Sequence, residues 1–498
     1  MTASAHRRAA PGNVYSGFDW RAFDQLGVRR LCNDSRRVRR GDTFVAYPGE
    51  AYDGRRFIAQ AIAHGARAVL WDSRNFKWNP AWRVPNLGVP RLRACVGHIA
   101  SRINGEPSSR LRMIGVTGTN GKTTCSQWVA HALNATGTRT ALIGTLGYGL
   151  RGRLQPLANT TPDAIWLHAQ LAAFARRGAR AVSMEVSSIG LDQDRVAGVH
   201  FDIAVFTNLT RDHLDYHRTL RQYRTAKARL FGWESLQHAV INLDDAFGAE
   251  LAHRIPRRGL TVLGYGFGRT AGMRASNLVA DEQGVRFDVA TPWGAARIAS
   301  PVIGRFNAYN LLATLAVLLA SGVGLRKAAA TLARLTPVPG RLQSLGGGRR
   351  PLIVVDYAHT PDALEQVLRT LRAMIADDAR LICVFGCGGD RDRGKRPQMG
   401  RIAARLADGV YVTSDNPRGE KPLAIIGDVL DGIHSINETL VATPDRRRAI
   451  RHAIAHARRG DIVLIAGKGH ETYQEVRGVR HPFSDVAVAR TALREWRA

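Results

Sequence analysis

Apolar positions along this chain gather into short continuous runs, each closed by a polar or glycine-rich stretch, rather than alternating strictly with polar ones. Between residues 108 and 340 the runs 113–116, 141–143, 181–184, 203–206 and 239–241 are separated by helix-compatible patterns such as 126–133 and 223–231. Continuous apolar strands with intervening helices predict a mostly parallel sheet covered on both faces. After the stiff stretch Pro337-Val338-Pro339-Gly340-Arg341 the rhythm restarts, with runs at 352–355, 381–385, 410–413 and 462–465. The first hundred residues hold a smaller unit, with strands at 42–47 and 68–71 around a helix at 57–64, then a linker at 104–110. The predicted fold is therefore α/β in three domains. These are 1–107 (with 1–13 a loose tail), a P-loop ATPase-like central domain at 108–340 and a Rossmann-like domain at 341–498. Alternating short strands over 261–297 predict a peripheral β insertion, and the apolar run 309–319 a buried helix too short for a membrane span.

Ligands of such sheets bind beyond the carboxyl ends of the strands, so the residues after each run carry the chemistry. The first run opens into Gly118-Thr119-Asn120-Gly121-Lys122-Thr123-Thr124 and then a helix. Exposed backbone N–H groups and a helix N-terminus favour polyphosphate, the lysine neutralises it, and a threonine hydroxyl can hold Mg²⁺. A standard phosphate loop has a further glycine where Val116 stands, so this is a shortened variant, and ATP is the expected ligand. Glu185, after the third run, is the plainest partner of Thr123 for a metal. His213, after the fourth, suits a second metal site or a loop cap equally well. Gly304-Arg305-Phe306-Asn307-Ala308-Tyr309-Asn310 places two asparagines at a helix start, where both can face one ligand. In the last domain Gly386-Cys387-Gly388-Gly389 is too weak to claim a dinucleotide. Its acidic and arginine-bearing signatures with Asn416 suit a zwitterionic small molecule.

A formal charge of +30 and a pI of about 11.1 invite a nucleic-acid reading. The arginines are dispersed, however, with no aromatic–basic interleaving. Recruitment of anionic small substrates is the better expectation, and a nucleic-acid-stimulated ATPase the remote alternative. Only seven of the 71 basic residues are lysine: Lys77, Lys122, Lys227, Lys327, Lys395, Lys421 and Lys468. Where arginine serves every generic purpose, a lysine marks a place that needs a compact ammonium or a primary amine. Five cysteines without metal or redox spacing, and a start without an apolar signal core, fit a cytoplasmic protein.

Taken together, the motifs 118–124, Asn159-Thr160-Thr161, 184–191, 208–217, 356–359 and the C-terminal signatures resemble the Mur ligase family, from about Asn33 to Glu471. The resemblance is strongest to members that add meso-diaminopimelate to UDP-N-acetylmuramoyl-L-alanyl-D-glutamate through an acyl phosphate. It implies a uridine nucleotide held by Asn33, Ser35 and the loop Glu50, Ala51 and Tyr52. The muramoyl peptide would meet Asn159, Thr160, Thr161, Ser187, Gln193 and Arg195. ATP would lie on 118–124, with Asn310, Arg341 and Asp356 around its nucleoside. One Mg²⁺ would be bound by Thr123 and Glu185, a second by His213 and Lys227 as its CO₂-derived carbamate. Diaminopimelate would be read by Arg391, Asp415, Asn416, Pro417, Arg418, Gly467 and Glu471. Ile189 stands where relatives usually carry histidine and receives no catalytic weight. A monomer without nucleic acid or membrane insertion is implied. A lysine-adding or folylpolyglutamate-type ligase is the alternative within the superfamily.

Overall fold

The computed structural model describes residues 18–497, apart from 51, 151, 153, 256–258, 282, 376–377 and 436–438. The tail expected before residue 14, and Ala51 of the nucleotide loop, lie outside the described residues. Three large sheets and a two-stranded hairpin, Tyr473–Val476 with Val479–Pro482, carry the chain, with helices on the faces of the large ones, in the mixed α/β class expected.

The central sheet has ten strands. Its middle strand, Arg112–Thr117, pairs in parallel with Ala181–Glu185 on one side and Ile203–Phe206 on the other. Thr140–Gly144 and His238–Asn242 extend it in parallel. Every residue of Met113 to Thr117 is buried, so the run is continuously apolar where one-faced strands would alternate. The helix Arg305–Ala320 lies deep in this core, buried on nearly all sides, as its apolar run predicts. The β-rich segment after 261 is not a separate insertion. Thr261–Gly266 pairs in parallel with His238–Asn242, and Met273–Asp281, Gly284–Thr291 and Gly294–Ser300 continue the same sheet to its edge. The buried–exposed alternation of Met273–Asp281 shows why it read as peripheral: one face remains open to solvent.

The N-terminal unit is a four-stranded parallel sheet, Leu31–Cys32, Thr43–Ala46, Ala68–Asp72 and Asn86–Val89, of which the first and last are too short or too polar to stand out in the sequence. Its helix Leu92–Ile103 meets the central unit so closely that a Cβ at Gly97 would stand 2.1 Å from the Ala197 carbonyl oxygen. The expected linker is instead a docked turn. Pro107–Arg110 forms a 3₁₀ helix, and the buried Ser108 hydroxyl accepts the His200 N–H at 3.0 Å.

The C-terminal sheet runs in the order Gln343–Gly346, Leu352–Asp356, Ile462–Ala466, Leu381–Phe385, Gly409–Thr413, Thr439–Thr443, parallel but for the first. Beneath its ligand edge a fully buried ion pair joins two helices, Arg446–Ala455 and Asp485–Glu495. Arg446 Nε and Nη2 donate to the two Asp485 oxygens at 2.8 and 2.7 Å, and Nη2 also to the Ala466 carbonyl at 2.9 Å. Removing one partner strands the other charge in a dry interior. Asp485→Ala is expected to lower unfolding free energy by about 3–5 kcal/mol, measured by urea titration, and an apolar replacement of both partners by much less.

Candidate functional site

The phosphate loop is shaped by two glycines. Gly118 and Gly121 have φ of +148° and +85°, and added Cβ atoms would stand 1.8 Å from Thr207 Oγ1 and 2.6 Å from Asn310 Oδ1. Only glycine lets the backbone pass there. The helix Lys122–Ala135 starts directly after, so its free N–H groups open toward the loop. Lys122 Nζ donates to the carbonyls of Gly118 and Thr119 at 3.0 and 2.8 Å. Asn208 holds the loop from the neighbouring strand end, its Oδ1 accepting the Asn120 N–H at 2.9 Å.

Glu185 sits at the end of the adjacent strand and is buried. Its Oε2 accepts from the Thr123 hydroxyl at 3.0 Å and the Thr145 hydroxyl at 3.1 Å, while Oε1 accepts the Thr145 N–H at 2.7 Å. A carboxylate and a hydroxyl beside a phosphate cradle form a hard-oxygen set that fits Mg²⁺. Thr145 had no assigned role; it directly follows the strand Thr140–Gly144, and that strand-end position was the signal available.

Lys227 is not the surface lysine that its helical context predicts by default. It is 1% exposed, with Nζ donating to the Gly118 carbonyl at 2.6 Å and standing 4.3 Å from the Tyr223 ring. Burial, then the charge of Lys122, push its pKa well below the ordinary value. A neutral amine is the form that takes up CO₂, so the environment fits a carbamate. His213 packs against the same Tyr223 ring, centroids 6.2 Å apart, and lies 3.4 Å from Asp212. Burial would raise the Asp212 carboxyl, but His213, His359 and Lys122 hold it below its usual range. Among the described residues no three His, Cys, Asp or Glu side chains converge on a metal position. A second metal would therefore need a ligand of another kind.

Lys122, Thr123, Thr145, Glu185, Asp212 and His213 line one cavity of about 710 Å³, while Lys227 lies behind the loop and outside that lining. Asn159, Thr160, Thr161, Ser187 and Arg195 line it too. Thr161 accepts the Ser187 N–H at 2.9 Å, and Arg195 Nη1 donates to the Thr161 carbonyl at 2.8 Å. Gln193 bridges Arg195 to Tyr216, whose hydroxyl donates to Asp192 at 2.9 Å. Tyr216 thus belongs to this strip, though its sequence carries no signal for it. Ile189 also lines the cavity, where it can offer only apolar contact. Arg341 Nη2 reaches Thr123 Oγ1 at 3.2 Å, and Asn310 Nδ2 donates to Asn307 at 2.9 Å. Both Asp356 oxygens are engaged by backbone N–H groups, of Leu342 at 2.7 Å and Ala358 at 2.8 Å, and burial raises its pKa.

The uridine candidates lie apart from that cavity's lining. Ser35 is buried and donates to Gln60 at 2.8 Å, Glu50 pairs with Arg93 at 3.1 Å, and Tyr52 is 67% exposed. Asn33 hydrogen-bonds the Tyr47 phenol, which burial pushes up and which also feels Arg195.

The C-terminal edge reaches the cavity through Tyr357 and His359. Tyr357 stacks on His359 and His470 at 4.7 and 5.2 Å, with Arg341 4.6 Å above its ring. Burial raises the pKa of its phenol, Glu471 and Asp415 add to the rise and Arg341 opposes it, but residues 415–418 do not line the cavity. His359 Nδ1 lies 2.8 Å from the Tyr357 carbonyl, so Nδ1 carries the hydrogen and Nε2 the lone pair. Arg418 is held at φ +50°, its N–H on the Glu475 carbonyl at 3.0 Å and Nη1 on the Gly389 carbonyl at 2.8 Å. Arg391 stays on the surface, donating to the Asp390 carbonyl.

Family models match along the chain: Mur ligase family, catalytic domain, at 28–103; Mur ligase middle domain at 116–318; and Mur ligase, glutamate ligase domain, at 340–469. The chain is 52% identical over 483 residues to the UDP-N-acetylmuramoyl-L-alanyl-D-glutamate--2,6-diaminopimelate ligase of Chromobacterium violaceum, covering 96% of this chain and 97% of that one. A relative of the same name in Pseudomonas aeruginosa is 50% identical over 472 residues, covering 95% and 96%. A solved structure of that name superposes with a TM-score of 0.69 at 40% identity, covering 94% and 95%. Mycobacterium tuberculosis folylpolyglutamate synthase, complexed with ADP and AMPPCP, shares the fold alone, with a TM-score of 0.62 at 20% identity over 76% and 92%.

Burial holds His168, His359 and His470 near pKa 4, against about 6.5 in an unfolded chain. The unfolded state therefore takes up protons first. Stability is full above pH 6.5 and declines as pH falls toward 4. Urea titrations at pH 7, 5.5 and 4.5 are expected to show that decline, and His359→Gln to flatten it.

Proposed function

The chain belongs to the Mur ligase family, and on that premise we propose that it joins meso-diaminopimelate to UDP-N-acetylmuramoyl-L-alanyl-D-glutamate at the cost of ATP. It is an ATP-dependent ligase of peptidoglycan precursor synthesis. The observation that carries the reading is the shared chamber: a phosphate loop with a Thr123–Glu185 pair opens onto the dipeptide strip and onto residues of the C-terminal sheet.

In this reading the polyphosphate lies on the backbone of 118–124, with Lys122 turning from the loop carbonyls to its charge. Asn310, Arg341 and Asp356 surround the nucleoside. Thr123 and Glu185 would hold Mg²⁺, and His213 with carbamylated Lys227 a second ion, which lend Lewis-acid charge to the phosphoryl oxygens when bound. Asn33, Ser35 and the loop at 50–52 hold the uridine nucleotide. Thr161, Ser187 and Arg195 fix the peptide so that its glutamyl carboxylate lies in line with the γ-phosphate. Its attack breaks the β,γ-phosphoanhydride bond, releases ADP and gives an acyl phosphate. The amine of the incoming amino acid then displaces phosphate, and the departing phosphate carries off the proton released as the amide forms.

Specificity lies at the last signature. Arg418 can pair in a fork with a distal carboxylate that lysine lacks. Asp415, Asn416, Gly467 and Glu471 surround the amino-acid head group in the same proposal, with Arg391 at the rim. The nucleotide-linked substrate and five cysteines without disulfides support a cytoplasmic setting. No described helix is long and apolar enough to cross a membrane.

Incubation with ATP, Mg²⁺, the UDP-dipeptide and either diaminopimelate or lysine tests the assignment by product formation. Equal turnover with lysine would overturn it. Arg418→Ala is expected to lower kcat/KM for diaminopimelate about 10–100-fold, the worth of a lost charge-assisted hydrogen bond, while KM for ATP stays unchanged.

A further inference from the structure

Three of the scarce lysines are buried or turned inward at chemistry-bearing loops. Lys122 and Lys227 belong to the phosphate cradle; Lys468 does not. It follows Gly467 at the end of the strand Ile462–Ala466 and has no exposed surface, one of the largest fully buried side chains of the molecule. Its Nζ donates to Asn416 Oδ1 at 2.9 Å and to Glu471 Oε2 at 2.7 Å, and stands 5.5 Å from the Tyr473 ring.

The hydrogen-bond inventory makes this arrangement directional. An ammonium only donates, so the Asn416 amide must turn its oxygen toward Lys468. That oxygen also accepts the Glu475 N–H at 2.9 Å. The amide nitrogen is thereby aimed at Glu471 Oε2, 2.8 Å away. Oε2 thus accepts from two donors, leaving Oε1 of Glu471 and the second Nδ2 hydrogen of Asn416 available to a ligand. Without Lys468 the amide could flip and the carboxylate rotate. An arginine cannot replace it, because a planar guanidinium needs more room and more acceptors than a site with no exposed surface and two acceptor atoms provides.

We propose that Lys468 is the positioning residue of the amino-acid site. It fixes the Asn416 flip and the Glu471 rotamer so that one N–H donor and one carboxylate oxygen meet the carboxylate and ammonium of the incoming amino acid. The inference rests on the reading of Asn416 and Glu471 as diaminopimelate ligands. It accounts for a lysine at this position in a chain that otherwise uses arginine.

The full-length enzyme is assayed first with diaminopimelate. A wild-type protein that forms no product overturns the proposed function, and this inference with it. In an active wild type, Lys468→Met is expected to raise KM for diaminopimelate about 20-fold, the loss of a charge-assisted contact, with KM for ATP and for the UDP-dipeptide within about twofold. The double variant N416A/K468M is expected to lose less than the sum of the two single losses, because Lys468 acts partly through Asn416 and partly through Glu471. A merely structural lysine would give additive losses and shift all three KM values. Lys468→Gln, smaller than lysine and uncharged, supplies the same reading should the methionine variant fail to fold. An unchanged KM for diaminopimelate, or additive losses in the double variant, overturns the proposal.

Discussion

The Glu185 carboxylate ties the central unit together. Buried at the end of one strand, it receives the hydroxyl of Thr123 from the helix behind the phosphate loop, and both the N–H and the hydroxyl of Thr145 from the next strand end. Three consecutive elements of the sheet's ligand edge thus share one charged acceptor. A buried carboxylate is tolerable only when so fully hydrogen-bonded. The same condition makes it a preorganised anion beside the polyphosphate cradle, so the bonds that keep the fold in register also prepare the site.

A second tension stands opposite. Lys122 and Lys227 both donate to the Gly118 carbonyl, and each lowers the pKa of the buried Lys227 amine or is itself lowered by burial. Two cationic groups crowded on one carbonyl favour an anion between them and a neutral form for the more deeply enclosed amine. Charge crowding here is part of the site's chemistry, since neutral amine and bound polyphosphate both relieve it.

The inner parallel strands of the central and C-terminal sheets were readable within a residue or two, because a strand buried on both faces must be apolar throughout. Gly147–Leu150, Gln343–Gly346 and Thr439–Thr443, nearer the sheet edges, gave no such run. Short elements escaped, Leu31–Cys32 having only two residues, and the strands after Met273 were expected as strands but not as a continuation of the central sheet, because one side is wet. The phosphate loop was legible from spacing alone, since glycine there answers to a backbone constraint. Lys227 was suspected from its rarity, yet its burial could not be seen, because the helix around it is polar and depth comes from tertiary packing. Thr145 and His359 sit at strand ends that the sequence marks, but their partners, and the place of Tyr216, are set by which strand ends and loops become neighbours, information no local window holds.

The contact between Gly97 and the 197–198 turn has one more consequence. Backbone lies on backbone there, with only the Ala197 methyl beside it. The gap between the N-terminal and central units is accordingly set by main-chain van der Waals radii, far from any reacting atom. A single methyl group would act as a shim, tilting the N-terminal unit against the phosphate loop without altering any side chain of the cavity. Distance between two halves of a long substrate can therefore be adjusted at a position that contacts neither half.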